Sequence, residues 1–223
     1  VELSKITSIP NLADLGSFGS SRCRRDIHAK RILYCGNLGP AHGPEFLVDL
    51  ARHFYQLRSE IRIDVIGGGK SFEKMEKECA DGGFLAKTII FHGPKPKNEV
   101  AEFYGIADAT VMTMADCELL YRHSVQNKFF DSLAAGKPVI ANYRGYASEL
   151  AEAMNAGLIV DRNDIAAAAS EISRYLADGE ALCQAGLNAR RLAEEQFDAD
   201  ALARKLELVL LSVLLAWRHR GLR

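Results

Sequence analysis

Arg31-Ile32-Leu33-Tyr34-Cys35-Gly36-Asn37-Leu38-Gly39-Pro40-Ala41-His42-Gly43-Pro44-Glu45-Phe46-Leu47 contains one complete change of pattern. An apolar run over residues 31–35 stops at Gly36 and reads as a short strand. A turn rich in Gly and Pro follows. Over residues 45–57, Phe46, Leu47, Leu50, Phe54 and Leu57 then recur at helical spacing. Strand, loop and helix in that order make one βα unit.

Working outward, the unit repeats. Strands are predicted at 61–66, 88–91, 109–112, 138–141 and 158–160, several of them closed by Gly or Gly-Pro. Helices are predicted at 71–82, 99–104, 127–135, 164–177, 180–196 and 199–217. Repeated βα units give a parallel sheet, because the crossover helices must cover both faces. The fold class is therefore α/β: a doubly wound, Rossmann-like parallel sheet of about six strands with helices on both faces, followed by C-terminal helices. A ligand in such a sheet sits at the carboxyl ends of the strands, near a topological switch point.

Composition narrows the function classes. The chain has 223 residues, enough for one large domain or two small ones. A 48% hydrophobic and 26% charged mixture excludes wholesale disorder and collagen-like structure. Lys plus Arg number 28 against 29 Asp plus Glu, so no whole-chain field draws in nucleic acid and any anion site is local. No apolar run reaches the ~18 residues that span a bilayer, and Val1-Glu2-Leu3 does not read as a signal peptide. The first residue is not Met, which suggests a processed product or part of a longer chain. Cys23, Cys35, Cys79, Cys117 and Cys183 are odd in number and form no CxxC, which fits a reducing cytosol and speaks against a disulfide framework or a zinc ribbon. Residues 10–28 are Gly/Ser-rich at 17–21 and then carry Arg22, Arg24 and Arg25, so they read as a linker or boundary rather than core.

The polar residues that could carry chemistry follow the strands. The first loop offers Gly36 and Gly39 ahead of a helix, where backbone N–H groups can approach an anion; a plain tight βα turn explains the same residues. In the second loop, Gly67-Gly68-Gly69-Lys70-Ser71 fails as a Walker A motif, because Asp64 stands where the first Gly must be. It fails as GxGxxG as well, with Phe72 at the last Gly. Lys70 can still meet a phosphate as a point charge, or simply face solvent. The third loop, His92-Gly93-Pro94-Lys95-Pro96-Lys97, is stiff and locally basic. The fourth is a long polar loop from Asp116 that leads into a helix at Asn127. Asn127 can cap that helix, and Lys128 and Asp131 share one face of it. The pair could grip a phosphate and a ribose diol, or form a surface salt bridge.

Taken in order, these segments resemble the C-terminal, nucleotide-sugar-binding domain of retaining glycosyltransferases with the GT-B fold, in the GT4 group. The resemblance runs from about residue 6 to about 215. It rests on Tyr34-Cys35-Gly36-Asn37-Leu38-Gly39, Val65-Ile66-Gly67-Gly68-Gly69, Phe91-His92-Gly93-Pro94, Tyr104-Gly105-Ile106-Ala107-Asp108 and above all Asn127-Lys128-Phe129-Phe130-Asp131-Ser132-Leu133-Ala134-Ala135-Gly136-Lys137-Pro138-Val139-Ile140. It implies that residues 1–28 are the stub of an N-terminal acceptor domain plus the interdomain linker, and that 29–223 bind the donor. It implies that Gly36, Gly39, Gly69 and Lys70 lie around the donor pyrophosphate, and that Gly93 and Lys95 approach the base. Asn127 and Asp131 complete the donor site, with Asp131 as the second acid of the family's E-x7-E motif, which accepts from the ribose hydroxyls.

Two departures stand out. His123, not Glu, lies eight positions before Asp131, so Glu118 or Asp116 becomes the candidate for the first acid. The basic residues that many members carry after the first strand correspond to Asn37 and about His42, leaving Lys128 and Lys70 to meet the pyrophosphate. Lys128, His123 and Glu118 are thus the candidate catalytic residues. The resemblance implies transfer of a hexosyl or N-acetylaminosugar group from a nucleoside diphosphate sugar, UDP-linked, to a glycan or lipid-linked acceptor in bacterial surface polysaccharide synthesis. No metal or other cofactor is expected, since no DxD-type pair is read. The implied location is the cytoplasm, with room for peripheral association at the inner membrane face, and no nucleic-acid partner. A fragment of this kind is expected to be inactive alone.

In the last helix, Leu202, Leu206, Val209, Leu210, Val213, Leu214 and Trp217 mark a stripe that Leu208, Leu211 and Leu215 widen. Packing on its own domain or on an N-terminal domain is the favoured reading, over a membrane-surface segment. Two other functions compete with transfer: a non-catalytic nucleotide-sugar-binding subunit and a dinucleotide-dependent oxidoreductase, the latter without its GxGxxG.

Overall fold

The computed structural model describes residues 5–18 and 30–220, the last three of these by backbone only. Its centre is a six-stranded parallel sheet in the order β3-β2-β1-β4-β5-β6. The strands are β1 (Arg31–Cys35), β2 (Arg62–Ile66), β3 (Ile89–Gly93), β4 (Ala109–Met112), β5 (Val139–Ala141) and β6 (Gly157–Ile159). The chain winds outward from β1 to β3, returns to the centre, and winds the other way from β4 to β6. The switch point therefore lies between β1 and β4, which pair through Ile32↔Ala109 and Leu33↔Thr110.

Alternation along the strands builds two cores. Ile32 and Tyr34 of β1 face one side, with Ile63 and Val65 of β2. There they meet α1 (Glu45–Gln56), α2 (Phe72–Asp81) and α7 (Ile165–Ala177). Leu33 and Ile66 face the other side, against α3 (Lys97–Ile106), α5 (Asn127–Ala134) and α6 (Tyr146–Ala153). The helix α8 (Gly179–Gln196) packs on α5 and adds Ala189, Leu192 and Ala193 to this second core. Asp164 caps α7 through the Ala167 N–H at 2.9 Å, and Asp178 caps α8 through Ala181 at 3.0 Å.

Five findings revise the sequence reading. The stretch after Asp116 is not all loop: it holds α4 (Glu118–His123), a six-residue helix. The helix α6 also lies where no element was expected. Ala13 and Phe18, inside the expected boundary segment, are core residues: the Ala13 N–H donates to the Phe197 carbonyl at 2.8 Å, and Phe18 meets Tyr104 edge-on at 5.0 Å. The remainder of that boundary segment, 19–29, and the N-terminal residues 1–4 lie outside the described residues. Cys183 is disulfide-bonded, whereas Cys35, Cys79 and Cys117 are free thiols. An odd, scattered count speaks against a framework of bridges but does not exclude a single one. Finally, most of the stripe on α9 (Ala199–Arg220) is uncovered among the described residues, with Leu202 and Val209 half-buried, so packing on its own domain does not account for it. Leu208, Val213 and Trp217 are exposed, as are Leu206, Leu210, Leu211, Leu214 and Leu215. Among the described residues, no helix is long and apolar enough to cross a membrane.

Candidate functional site

The loops after β1, β2 and β3 are stitched together by their own backbones. The Gly36 N–H donates to the Ile66 carbonyl at 2.9 Å, Leu38 to Gly68 at 2.9 Å, and Gly67 to Gly93 at 3.0 Å. This approach requires glycine. Gly67 has φ +126°, and a Cβ there would stand 2.0 Å from the Gly36 carbonyl oxygen. Gly36, at φ +155°, would drive a Cβ to 2.8 Å from Cε of Lys128. Gly36 thus contributes space for the Lys128 side chain; its N–H is already committed and is not free for an anion.

Lys128 is the central side chain. It enters from the first turn of α5, is 8% exposed, and places Nζ 3.7 Å from the centre of the Tyr34 ring. That ring offers its π face, while the Tyr34 hydroxyl donates to the Asn37 carbonyl at 2.7 Å. Among the described residues Nζ has no hydrogen-bond partner. Burial pulls the ammonium down to about 7, against a smaller upward pull from Cys35. The same burial pushes the Cys35 thiol up to about 11, with Asp131 adding to the rise and Lys128 opposing it. A buried cation without a partner is costly in an unliganded protein, and an anion delivered to it removes the cost.

Asp131 is half-buried one turn further along α5. Desolvation raises its pKa, Lys97 lowers it and Asp14 raises it. Lys128 and Asp131 therefore form no salt bridge; each faces different neighbours. Asn127 does not cap α5 either. Gln126 occupies the N-cap position, and the Asn127 Oδ1 accepts from Asn11 Nδ2 at 2.9 Å. Lys97 is ion-paired to Asp14. Asn11 and Asp14 thus tie the N-terminal segment to the helices on which the site is built.

The other expected residues divide. Gly39 precedes a short 3-10 helix (Pro40–His42) and accepts from the His42 N–H at 2.9 Å. Gly69 and Lys70 line an open cleft of about 420 Å³ with Gly68, Phe72, Glu73 and Pro94. Lys95 is paired with Glu99 at 3.2 Å, and Gly93 accepts from Gly67. Glu118 and His123 lie exposed on α4, with Glu118 held by Arg122 at 2.8 Å. They do not join Lys128 in its pocket. Among the described residues no cluster of His, Cys, Asp or Glu could hold a metal. The sequence does contain a D-x-D triplet, Asp198-Ala199-Asp200, against the expectation of none. Asp198 is a helix cap, accepting from the Ala201 N–H at 2.8 Å.

The structure adds groups that spacing alone did not single out. Gln126 is buried against the Thr113 carbonyl, 2.9 Å away, and 3.2 Å from His42 Nδ1. Arg162, just past β6, donates to the Met114 carbonyl at 3.2 Å, pairs with Asp116 at 3.6 Å, and lies over the Tyr121 ring. The one available signal was position: each follows or precedes a strand or helix at the carboxyl side of the sheet.

A family model described as glycosyl transferases group 1 matches residues 25–192. The chain belongs to that family. Among its relatives is a D-inositol 3-phosphate glycosyltransferase of Acidothermus cellulolyticus, 31% identical over 173 residues that cover 72% of this chain and 37% of the relative. The chain spans less than half the length of the relatives it matches here. Among solved structures, sucrose-phosphate synthase from Thermosynechococcus elongatus superposes with a TM-score of 0.76 at 22% identity, over 93% of this chain and 52% of that one. Anabaena HepE, in complex with UDP and glucose, gives a TM-score of 0.68 at 18% identity, covering 82% and 48%. These likenesses agree with the fold: this group 1 glycosyl transferase chain is a Rossmann-like half of the GT-B type.

Proposed function

We propose that these residues form the donor-binding half of a retaining glycosyltransferase. Its donor is a nucleoside diphosphate sugar, UDP-linked, carrying a hexose or an N-acetylaminosugar. Its acceptor, a glycan or lipid-linked glycan of bacterial surface polysaccharide synthesis, is held outside these residues. Transfer by the described part alone is not expected. The observation that carries the reading is the unpartnered, buried Lys128 Nζ beside Gly36, at the switch point of a sheet whose family transfers sugars.

In this reading the diphosphate is the leaving group, and negative charge grows on it as the glycosyl bond breaks. An ammonium fixed in a dry pocket favours that charge more in the transition state than in the ground state. Asp131 accepts from the two ribose hydroxyls, for which its two oxygens suit a vicinal diol. Lys70 meets the ligand from the open cleft, and Gly93 to Lys95 border the base. No metal is needed if Lys128 and backbone groups carry the charge. The protein acts at the cytoplasmic side, where the donor is found.

Thermal unfolding with UDP, GDP and their sugars tests this. At ligand 100 times Kd, the stabilisation should be about 2.7 kcal/mol. Asp131→Ala should remove most of it, and full stabilisation of that variant would refute the ribose role. A second reading, a nucleotide-sugar-binding subunit without catalysis, is favoured by His123 in place of the family's first acid and by Glu118 being held on an exposed helix. Turnover by the full-length protein would eliminate it.

A further inference from the structure

The ladder between β2 and β3 is irregular at its carboxyl end. It pairs Val65↔Phe91 and then Ile66↔Gly93, so His92 is the extra residue of a bulge on β3. A bulge bends its strand and turns the side chains beside it. The imidazole at this bulge is held from two directions. Its Nε2 lies 2.7 Å from Asp64 Oδ1, and its ring lies 4.6 Å, centre to centre, from Phe103 of α3. A carboxylate oxygen only accepts, so Nε2 carries the hydrogen and donates. Asp64 is itself fixed: it is buried and accepts twice from the Arg31 guanidinium, at 2.8 and 3.0 Å. The residues after His92 form part of the cleft. Gly93 turns with φ +67°, and its carbonyl accepts from the Gly67 N–H at 3.0 Å. Pro94 lines the cleft with Gly68, Gly69 and Lys70. A Cβ on Gly68 would stand 3.5 Å from Pro94 Cγ, so the two loops touch.

We propose that His92 is a positioning residue for the nucleotide: gripped by Asp64 and Phe103, it sets the bulge that fixes Gly93 and Pro94 against the base of the donor. The proposal rests on the reading of this cleft as a nucleoside diphosphate site. Its physical sense lies in how little the turn can do for itself. Gly93 has the widest choice of backbone angles, and Pro94 and Pro96 have no N–H with which to bond the turn in place. A two-point grip on the residue just before removes that freedom, so less ordering is left for the ligand to bring about. A base met by backbone is recognised only where that backbone stands, whereas phosphates met at the start of α5 do not depend on this turn. Arg31 acts through Asp64, and Asp64 acts through His92.

Two arms test it. The first needs no ligand. Amide hydrogen exchange is followed at Gly67, whose N–H ends on Gly93, and at Ile63, whose N–H ends on the Thr88 carbonyl at the far end of β2. In His92→Leu, exchange at Gly67 should quicken about tenfold or more while Ile63 keeps its wild-type rate. His92→Gln, whose amide can still donate to Asp64, should leave both rates as they are. If His92→Leu does not fold, His92→Asn replaces it, since its amide reaches only as far as the ring's Nδ1. Unchanged exchange at Gly67, equal quickening at Ile63, or a Gln variant as fast as the Leu variant overturns the grip. In the second arm, UDP, GDP and inorganic diphosphate are titrated into wild type and the same variants. The expected result is about tenfold weaker binding of the preferred nucleotide in His92→Leu, recovery in His92→Gln, and diphosphate binding unchanged throughout. An unweakened nucleotide, or an equal loss for diphosphate, overturns the role in base binding. A wild type that binds neither UDP nor GDP sinks the reading of the cleft and the base role with it, while the exchange arm still decides whether His92 holds the turn.

Discussion

Two buried charges, one on the sheet and one on a helix packed against it, are treated in opposite ways. Asp64, on β2, is 2% exposed and fully engaged: Arg31 donates to it twice, at 2.8 and 3.0 Å, and His92 Nε2 lies 2.7 Å from Oδ1. Lys128, on α5, is nearly as buried and has only the face of Tyr34. The first cluster joins β1, β2 and β3 and has no unmet need. The second sits at the switch point with its need unmet. Buried charge that is answered within the chain holds structure together; buried charge left unanswered is a place for a ligand.

The largest expected effect breaks the answered cluster. Asp64→Ala leaves Arg31 and His92 without their shared acceptor and should lower unfolding free energy by about 3 kcal/mol, read by urea denaturation. A loss under about 1 kcal/mol would mean that the cluster is replaceable by water. The next effect has the opposite sign. Lys128→Met removes an unpartnered buried ammonium, so the unliganded protein should gain about 1–3 kcal/mol while UDP stabilisation disappears. Lower apo stability in that variant would show that Nζ is satisfied in solution.

The pH dependence of stability sharpens the same contrast. Lys128 is held at about 7 in the fold and returns to its ordinary 10.5 on unfolding. Between those values the unfolded chain holds more protons at this site, so the unliganded protein should become more stable as pH rises from about 7 to about 9, above which the raised Cys35 and Cys79 thiols pull the other way. The slope should vanish in Lys128→Met; an unchanged slope would assign it elsewhere. The smallest effect is on the surface. Glu118→Ala breaks only an exposed pair with Arg122 and should change stability by less than about 0.5 kcal/mol.

Much of this was legible before any coordinates. Each of the six strands is a short apolar run, most of them closed by a turn signal, and burial on both faces of a parallel sheet leaves that mark in sequence. The helices that were missed left a weak one. The helix α6 buries only Ala147, Ser148 and Ala151, and α4 buries no side chain at all. The α9 stripe was legible as apolar, but periodicity does not say what an apolar face touches. In the site, the strand-end glycines were visible, whereas their use was not. Gly36 reads as an anion-binding turn until Ile66 takes its N–H and Lys128 fills its open side. Lys128 itself reads as a surface cation, because a charged residue three before a carboxylate usually is one. The contact of Gln126 with His42 has no local pattern, since it exists only after β1 and β4 are neighbours.

The most direct test of the central claim is calorimetric titration of UDP at pH 8, in two buffers of different ionisation heat. At that pH the unliganded Lys128 is mostly neutral, and an anion bound against it restores its proton. The account predicts uptake of about one proton per UDP in the wild type beyond that seen in Lys128→Met, together with much weaker binding by the variant. UDP binding of equal affinity and equal proton uptake in the two proteins would contradict it.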